Sequence, residues 1–491
     1  MSREAAEAPC WWSASELVGH LRARDVSAAE IVEAFLARIE RLNAALGAYV
    51  TVTGDRARAA AAEADRTLAG GRLLGPLHGV PIAVKDLDDV DGVTTGYGSR
   101  VWPRKPADRS ATYVQRMLDA GAIVLGKTNV PEFGHKAVTD NAVYGPSHTP
   151  FGPGYNAGGS SGGSASAVAA GLATVAQGGD GGGSIRIPAA LCGIYGLKAT
   201  YGRVAQAARP NAFNTCSPYI HAGPMTRTVA DAALLLDVMT GPDVRDPFSL
   251  PDDGVRANAG VFRGVAGLRV GFLPDFGGYP VEHVVLDRLT SGALALEGAG
   301  AMVEPVESRL PLHHTEITDL WRRRMGANYV GIVEGLRAHG VDVLARRDEL
   351  DPAVAAMIDA SAKLTVADVK RDELLETRLL DWLEDLLETH EVILSATVGV
   401  AKVANASDGA TLGPSSVAGC EVDPRIGWCL TPATNFTGHP AASVPVGLTR
   451  DGFPVGMHVI GRRFADDTVV ATSAAVERAM PWSDTYPRSP A

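Results

Sequence analysis

Short apolar segments that alternate with helix-forming segments constrain this chain more than any other feature. Residues 79–84 read GVPIAV and residues 122–125 read AIVL, and turn residues bound each of them, which is typical of buried strands. A helix-forming segment, 111–120, leads into the second strand through Gly121. Further strand-like segments lie at 392–394, 442–446 and 455–460. This alternation predicts an α/β fold whose sheet is covered by helices on both faces.

The sequence predicts a single composite domain over residues 1–491, because it contains neither an internal repeat nor a low-complexity linker. Near the N-terminus, a capping box at Ser27 and Glu30 precedes apolar residues at helical spacing. That amphipathic helix is expected either to join two protomers in a homodimer or to pack on its own sheet. Residues 313–390 are charged and helix-forming, which predicts a helical insertion or lid beside the sheet.

Composition and charge argue against several classes of function. Hydrophobic residues make up 46% of the chain and charged residues 21%, which is ordinary globular usage. A net charge of −11 argues against nucleic-acid or anionic-membrane partners, which need clustered Lys and Arg. The longest strongly apolar run, residues 165–176, is shorter than the roughly 18–20 residues of a membrane span. Residues 1–9 lack the pattern of a signal peptide, so we expect a cytoplasmic protein.

Three motif matches are set aside because of their context. Residues 121–128, GAIVLGKT, have the spacing of a phosphate-binding loop, but a strand follows a helix here, whereas that motif needs strand, loop and helix. Residues 158–162, GGSSG, match the nucleophile elbow of α/β-hydrolases, yet a loop precedes them instead of a strand. The acidic run 86–91 and the histidines show no metal-ligand spacing, so we expect no metal and no organic cofactor.

A lysine and two serines remain as candidates for chemistry. Lys85 ends a buried apolar strand, and Ser160 and Ser184 lie in glycine-rich segments. A serine hydroxyl is a poor nucleophile near neutral pH and needs a base within hydrogen-bond reach. A lysine acts as that base when it is neutral, and burial favours its neutral form. Asp86 is expected to point to the opposite face of the strand, which leaves Lys85 without a carboxylate partner.

The segment DGGGS at 180–184 places three glycines directly before Ser184. Without Cβ atoms, such a segment exposes successive backbone N–H groups, as an oxyanion hole around a tetrahedral intermediate requires. A glycine run is equally typical of a flexible turn, so the glycines alone leave both interpretations open.

Together these motifs resemble the amidase signature family, whose members hydrolyse C–N bonds with a Ser-cisSer-Lys triad. The resemblance rests on GPLHGVPIAVKD around Lys85, GKTNVPEF at 126–133, AGGSSGGSASAVAAG at 157–171, GGDGGGSIRIPAALCGIYGLKATYGRV at 178–204, GPMTRTVADAALLLDVMTGPDVRDP at 223–247, and TNFTGHPAASVPVGLTRDGFPVGMHVIGRRF at 434–464. It spans nearly the whole chain and is weak only over the helical insertion.

The resemblance implies an amidase-signature fold with a central mixed, twisted sheet, and it implies a role for each candidate residue. Lys85 would be the general base, Ser160 the bridging serine after a cis peptide bond, and Ser184 the nucleophile. The oxyanion hole would consist of the backbone amides of Gly181, Gly182, Gly183 and Ser184. The family usually has a β-branched residue at the position of Gly181, so a looser loop is expected here.

The expected reaction is cleavage of a small or aryl amide, anilide or carbamate through an acyl-enzyme on Ser184, with esters as further substrates and a urethanase side activity. Arg186 is interpreted as structural, with binding of a substrate carboxylate as the alternative. The aromatic residues predicted to line the substrate pocket are Tyr144, Tyr155, Phe213, Tyr219, Trp321, Trp428 and Phe436.

Two further functions stay open at this point. One is the glutamine-hydrolysing A subunit of a tRNA amidotransferase, although CSPYI at 216–220 stands where such subunits usually carry an SLDQI-like run. The other is a catalytically inactive binding member of the family, against which the presence of Lys85, Ser160 and Ser184 argues.

Overall fold

The computed structural model describes residues 7–216, 218–338, 340–406 and 410–489. Its strands, numbered β1 to β13 in chain order, are Tyr49–Val52, Pro81–Lys85, Ile123–Thr128, Val175–Asp180, Tyr195–Lys198, His221–Thr226, Arg269–Phe272, Met302–Pro305, Val392–Ala396, Ser416–Val417, Cys420–Glu421, Ala441–Leu448 and Pro454–Gly461.

The α-helices, numbered α1 to α14, are Ala14–Ala23, Ala28–Leu46, Gly54–Ala69, Thr112–Asp119, Gly162–Ala169, Arg186–Cys192, Val229–Met239, Ala257–Val261, His283–Gly298, His314–Ala338, Pro352–Ser361, Val366–Thr389, Ala433–Thr437 and Asp466–Ala479. Short 3-10 helices occupy Ala8–Trp11, Glu132–Gly134, Leu344–Glu349 and Ser483–Thr485.

Eleven of the strands form one mixed sheet, in the order β1-β3-β2-β4-β6-β5-β12-β13-β9-β7-β8. β2 runs parallel to β3 and β4, and β7 runs parallel to β8 and β9. In the centre of the sheet, the neighbouring strands β4, β6, β5, β12 and β13 pair antiparallel. The predicted α/β fold with a mixed sheet is therefore confirmed.

Burial along the strands shows that helices and loops cover both faces of this sheet. Every residue of β2, β3, β9 and β13 is buried. Because successive side chains of a strand point to opposite faces, unbroken burial requires cover on each side. The strands are mainly apolar for this reason, and buried polar residues such as Lys85 and Lys127 lie toward their ends.

The N-terminal amphipathic helix packs on this chain's own core. Ser27 and Glu30 form the predicted capping box at the start of α2, with each side chain accepting from the other residue's backbone N–H. Ile31 and Phe35 on its apolar face are fully buried. The apolar face of this helix is therefore buried within the chain, and the homodimer stays a prediction.

The range 313–390 is largely helical, and its role as an insertion or lid stays a prediction. α10, α11 and α12 fill most of that range, and Arg323 of α10 forms an ion pair with Asp372 of α12, with 2.6 Å between Nη2 and Oδ1. Among the described residues, no helix is long and apolar enough to cross a membrane.

Sheet topology places the two sequence motifs side by side. β2 ends at Lys85 and its parallel neighbour β4 ends at Asp180, so both chain segments leave the sheet at the same edge. The glycine run after Asp180 and the loop before α5, which contains Ser160, meet at that edge. The candidate site is therefore built on the carboxyl ends of two buried parallel strands.

Candidate active site

Lys85 is the buried cation of the site. Its side chain is 1% exposed, and Nζ donates to Ser160 Oγ at 2.8 Å and to the Gly179 carbonyl oxygen at 3.1 Å. Burial lowers the pKa of Lys85 to about 8, and the negative charges of Asp88 and Asp180 oppose that lowering. The neutral amine is therefore far more abundant near neutral pH than it is for an exposed lysine, while the protonated form still predominates.

Asp86 lies on the opposite side of the strand end, as the alternation of side chains predicts. Its carboxylate accepts from the backbone N–H of Gly96 and lies 3.4 Å from Lys127 Nζ. Among the described residues, no carboxylate comes within ion-pair distance of Lys85. The lysine is thus held by neutral oxygen atoms.

The loop before α5 presents Ser160 to this lysine. Gly159–Ser160 is a cis peptide bond, as the resemblance implied. A Cβ at Gly159 would lie 2.7–2.8 Å from backbone atoms of Val138, so the close approach of these two segments requires glycine there. The neighbouring Ser161 donates its backbone N–H to the Ser184 carbonyl oxygen at 3.2 Å and so ties the two serine segments together.

Ser184 lies in the wall of a cavity of about 230 Å³ that Lys85 and Ser160 also line. The structure thereby brings the three predicted residues to one place. No hydrogen bond joins the hydroxyls of Ser160 and Ser184 within the described part of the chain. The proton relay requires these two hydroxyls to come into contact during the reaction.

A buried ion pair shapes the glycine run before Ser184. The Asp180 carboxylate accepts two hydrogen bonds from Arg186, from Nε and Nη2, each at 2.9 Å. Burial alone would raise the pKa of Asp180, but Arg186 and further cations hold it well below its usual range. Both side chains are fully buried, so Arg186 is structural, as interpreted from the sequence.

The same carboxylate corrects the predicted oxyanion hole at Gly183. The Gly183 N–H donates to Asp180 Oδ1 at 2.7 Å, so this amide is already occupied. The N–H groups of Gly182 and Ser184 have no acceptor among the described residues. The Gly183 N–H is therefore not free for the predicted oxyanion hole in this structure, and the roles of Gly181, Gly182 and Ser184 stay predictions.

Trp321 of α10 fixes the orientation of the glycine run. Its indole Nε1–H donates to the Gly181 carbonyl oxygen at 2.9 Å. Because the carbonyl and the N–H of one planar peptide point in opposite directions, this bond directs the Gly182 N–H away from Trp321. A Cβ at Gly182 would lie 2.4 Å from Trp321 Nε1, so the residue must be glycine for the indole to reach the loop.

Gly181 stands where the family usually has a β-branched residue, and a neighbouring side chain occupies the space of the missing one. A Cβ at this position would lie 2.6 Å from Cδ1 of Ile220. Ile220 lines the cavity, so its side chain fills the space that a side chain at 181 would take. The loop is therefore packed by a neighbour instead of by its own residue.

Most of the aromatic residues predicted for the pocket lie elsewhere, and those predictions are wrong for this cavity. Trp321 does line it. Tyr144 contacts Arg104, Tyr155 packs on Phe453, and Tyr219 stacks on Tyr201 with 4.1 Å between ring centres. The other three do not line the cavity either: Phe213 is 63% exposed, and Trp428 and Phe436 are buried in the core.

Apart from Trp321, the cavity is lined by other aromatic residues, which come from segments after β2 and β3, from α4 and from α10. Its rings are Tyr97, Tyr113, Phe133, Trp321 and Tyr329. On α10 the lining residues are Trp321, Met325, Asn328, Tyr329 and Ile332, which repeat at spacings of three and four. This is the pattern of one helix face, so the signal was present in the sequence.

Within the described ranges, no group of three or more His, Cys, Asp or Glu side chains is placed to hold a metal ion. The cavity wall presents the Lys85 amine, the aspartates Asp88 and Asp180, the imidazole of His221, hydroxyls and amides.

Comparisons with known proteins agree on one family. The Amidase family model matches residues 30–470. An acylamidase from Rhodococcus erythropolis is 36% identical over 484 residues, which cover 97% of each chain. The A subunit of a glutamyl-tRNA(Gln) amidotransferase from Chloroflexus aurantiacus is 34% identical over 486 residues, covering 95% of this chain and 96% of the relative.

Among solved structures, a bacterial aryl acylamidase of the amidase signature enzymes superposes with a TM-score of 0.93 at 40% identity, covering 97% of this chain and 98% of that one. The match extends over the helical segment that the sequence motifs covered weakly. With a family model and full-length relatives in agreement, the chain belongs to the amidase signature family and is a hydrolase that acts on C–N bonds.

Proposed function

We propose that this hydrolase is an acylamidase that cleaves aryl amides through a covalent acyl-enzyme on Ser184. The observation that carries the proposal is the 2.8 Å contact between Lys85 Nζ and Ser160 Oγ in the cavity that also exposes Ser184. The acylamidase and aryl acylamidase relatives, at 36% and 40% identity, support this substrate class.

In the proposed first half-reaction, neutral Lys85 takes a proton from Ser160 while Ser160 takes one from Ser184. Ser184 Oγ then attacks the carbonyl carbon of the substrate. The carbonyl oxygen accepts hydrogen bonds from the backbone N–H groups of Gly181, Gly182 and Ser184. The relay returns the proton to the nitrogen as the C–N bond breaks. The amine leaves, and the acyl group stays on Ser184.

In the second half-reaction, water takes the place of the amine. Lys85 and Ser160 accept a proton from the water, whose oxygen attacks the acyl carbonyl. The carboxylic acid forms as the bond to Ser184 Oγ breaks and Ser184 regains its proton. Because this route does not depend on a nitrogen leaving group, carbamates and esters are expected substrates as well.

The lining of the cavity favours a substrate with an aromatic ring. The Phe133 ring lies 6.2 Å from the Tyr97 ring and 6.4 Å from the Tyr329 ring, between their centres. Such separations are typical of interacting aromatic groups, and an aryl ring gains from the same contacts. A free glutamine side chain offers no ring to these residues.

A substrate panel tests the proposal. Purified protein is assayed with anilides, aliphatic amides, carbamates, esters and glutamine, with Ser184→Ala as background. Anilides are expected to give the highest kcat/KM. Glutamine turnover that rises with a copurifying partner subunit would favour the amidotransferase instead. Failure of a fluorophosphonate probe to label Ser184 would favour an inactive binding protein.

A further inference from the structure

Two aspartates, Asp88 and Asp180, line the catalytic cavity, and neither carboxylate takes part in the proposed proton transfers. Asp88 lies three residues beyond Lys85 and lines the same cavity. Its carboxylate accepts a hydrogen bond from the Tyr113 hydroxyl and one from Gln177 Nε2, the latter at 2.9 Å. These neutral donors hold the carboxylate in a fixed position in the wall.

The amide of Gln177 connects this carboxylate to Lys85. Gln177 Oε1 accepts from the Lys85 backbone N–H at 3.3 Å, while its Nε2 donates to Asp88. The Asp88 backbone N–H also donates to the Lys85 carbonyl oxygen at 3.1 Å. Asp88 is therefore positioned relative to the end of β2 by both its backbone and its side chain.

Two carboxylates act on Lys85, and their surroundings differ. Asp180 of β4 is paired with Arg186 through two hydrogen bonds of 2.9 Å. In the described ranges no cation lies within ion-pair distance of Asp88. The charged and titratable groups that face Asp88 are Lys85, Lys127 of β3, Tyr113 of α4 and Tyr97, and Lys127 lies 3.4 Å from Asp86. The charge of Asp88 is thus the less compensated of the two.

We propose that Asp88 is a positioning residue whose fixed carboxylate stabilises the protonated form of Lys85 and so sets the pH at which the site becomes active. The inference rests on the proposed role of Lys85 as the base. When Lys85 takes the proton that leaves Ser184, an ammonium forms in a buried site, and a nearby anion lowers the free energy of that state. The direction agrees with the effect of Asp88 on the lysine, which opposes the lowering of its pKa by burial.

The test compares the pH dependence of kcat/KM for wild type, Asp88→Asn and the neighbouring Asp89→Asn on an anilide. Asp89 also loses one negative charge in its variant, but its carboxylate accepts from Thr95 Oγ1 at 2.8 Å and lies outside the catalytic cavity. We expect Asp88→Asn to move the midpoint of the rise to lower pH by about one unit, the order expected from a close opposite charge. Asp89→Asn is expected to leave the midpoint in place.

Tyr113→Phe removes the hydrogen bond from the Tyr113 hydroxyl to Asp88 but keeps the carboxylate. It therefore separates the effect of the Asp88 charge from that of its packing. Its midpoint should stay near that of wild type, and Asp88→Glu should keep the wild-type midpoint as well. If Asp88→Asn does not fold by circular dichroism, Asp88→Ser gives a second neutral replacement. An unchanged midpoint in the neutral variants, or an equal shift in Tyr113→Phe or Asp89→Asn, overturns the inference.

The variants Lys85→Met and Ser184→Ala distinguish this failure from failure of the proposed function. If either retains wild-type turnover, the proposed reaction itself is wrong. If both lose turnover while the neutral Asp88 variants keep the wild-type midpoint, only the role of Asp88 is refuted.

Discussion

Lys85 Nζ lies 2.8 Å from Ser160 Oγ, and the second acceptor of the lysine is the Gly179 carbonyl oxygen at 3.1 Å. Both acceptors are neutral, so they compensate an ammonium less than a carboxylate in direct contact would. Burial therefore dominates the protonation of this residue, which leads to the first prediction.

The activity on anilides should rise with pH through a midpoint of about 8, the pKa of Lys85. Burial disfavours the charged amine, so the reactive neutral form is scarce below that pH and predominates above it. A pH series of kcat/KM measures this midpoint. Lys85→Met should lose at least about a hundredfold of kcat/KM. The assignment would be contradicted if kcat/KM rose around the usual pKa of histidine and did so equally in Lys85→Met.

Arg186→Met should destabilise the fold severely. It leaves the Asp180 carboxylate buried and without its guanidinium, a change that typically costs about 3–5 kcal/mol. Urea denaturation followed by circular dichroism measures the free energy of unfolding. Arg263→Met is the matched control, because its ion pair with Asp467 is largely exposed and should contribute about 1 kcal/mol or less. Equal losses in the two variants would refute a special role for the buried pair.

Gly182→Ala should fold with a displaced glycine loop and lose most of its turnover. The added Cβ would lie 2.4 Å from Trp321 Nε1, so the indole must move and its bond to Gly181 is lost. Removing one ordered donor from an oxyanion hole lowers kcat by about 100- to 1000-fold. Gly264→Ala, where a Cβ meets no atom within 4 Å, provides the control and should keep wild-type kcat. Comparable activity of the two variants would show that the loop tolerates displacement.

Tyr329→Leu should raise KM for anilides by roughly 3- to 10-fold, because an aromatic pair contributes about 0.5–1.5 kcal/mol beyond its buried area. Tyr329 is 2% exposed and lines the cavity. KM for a short aliphatic amide should change less. Phe213→Leu serves as the comparison, since this residue is 63% exposed and lies outside the cavity. A matching rise in KM for Phe213→Leu would show that the substrate binds elsewhere.

Local sequence patterns predicted the fold and the core of the site well. Residues 79–84 and 122–125 are apolar runs between turn residues, and the observed strands β2 and β3 overlap these two runs in sequence. The capping box at Ser27 and Glu30 begins α2 because its two hydrogen bonds depend on neighbouring residues alone. Such features need no knowledge of the rest of the chain.

The substrate cavity was harder to predict, because its wall joins segments far apart in sequence. Tyr97 and Phe133 come from loops near β2 and β3, while Tyr329 comes from α10. Two of the aromatic residues predicted for the pocket, Tyr155 and Trp428, instead pack outside the cavity. Side-chain type alone does not distinguish an aromatic ring in a pocket wall from one in the interior. Likewise, the hydrogen bond from Gly183 to Asp180 depends on the turn geometry of the glycine run.

The indole of Trp321 lines the cavity, and its nitrogen donates to the Gly181 carbonyl oxygen. One side chain therefore contributes both to substrate selectivity and to the orientation of the groups that cleave the bond. Selection for a new amide at this position would alter catalytic speed at the same time, so the two traits are expected to evolve together.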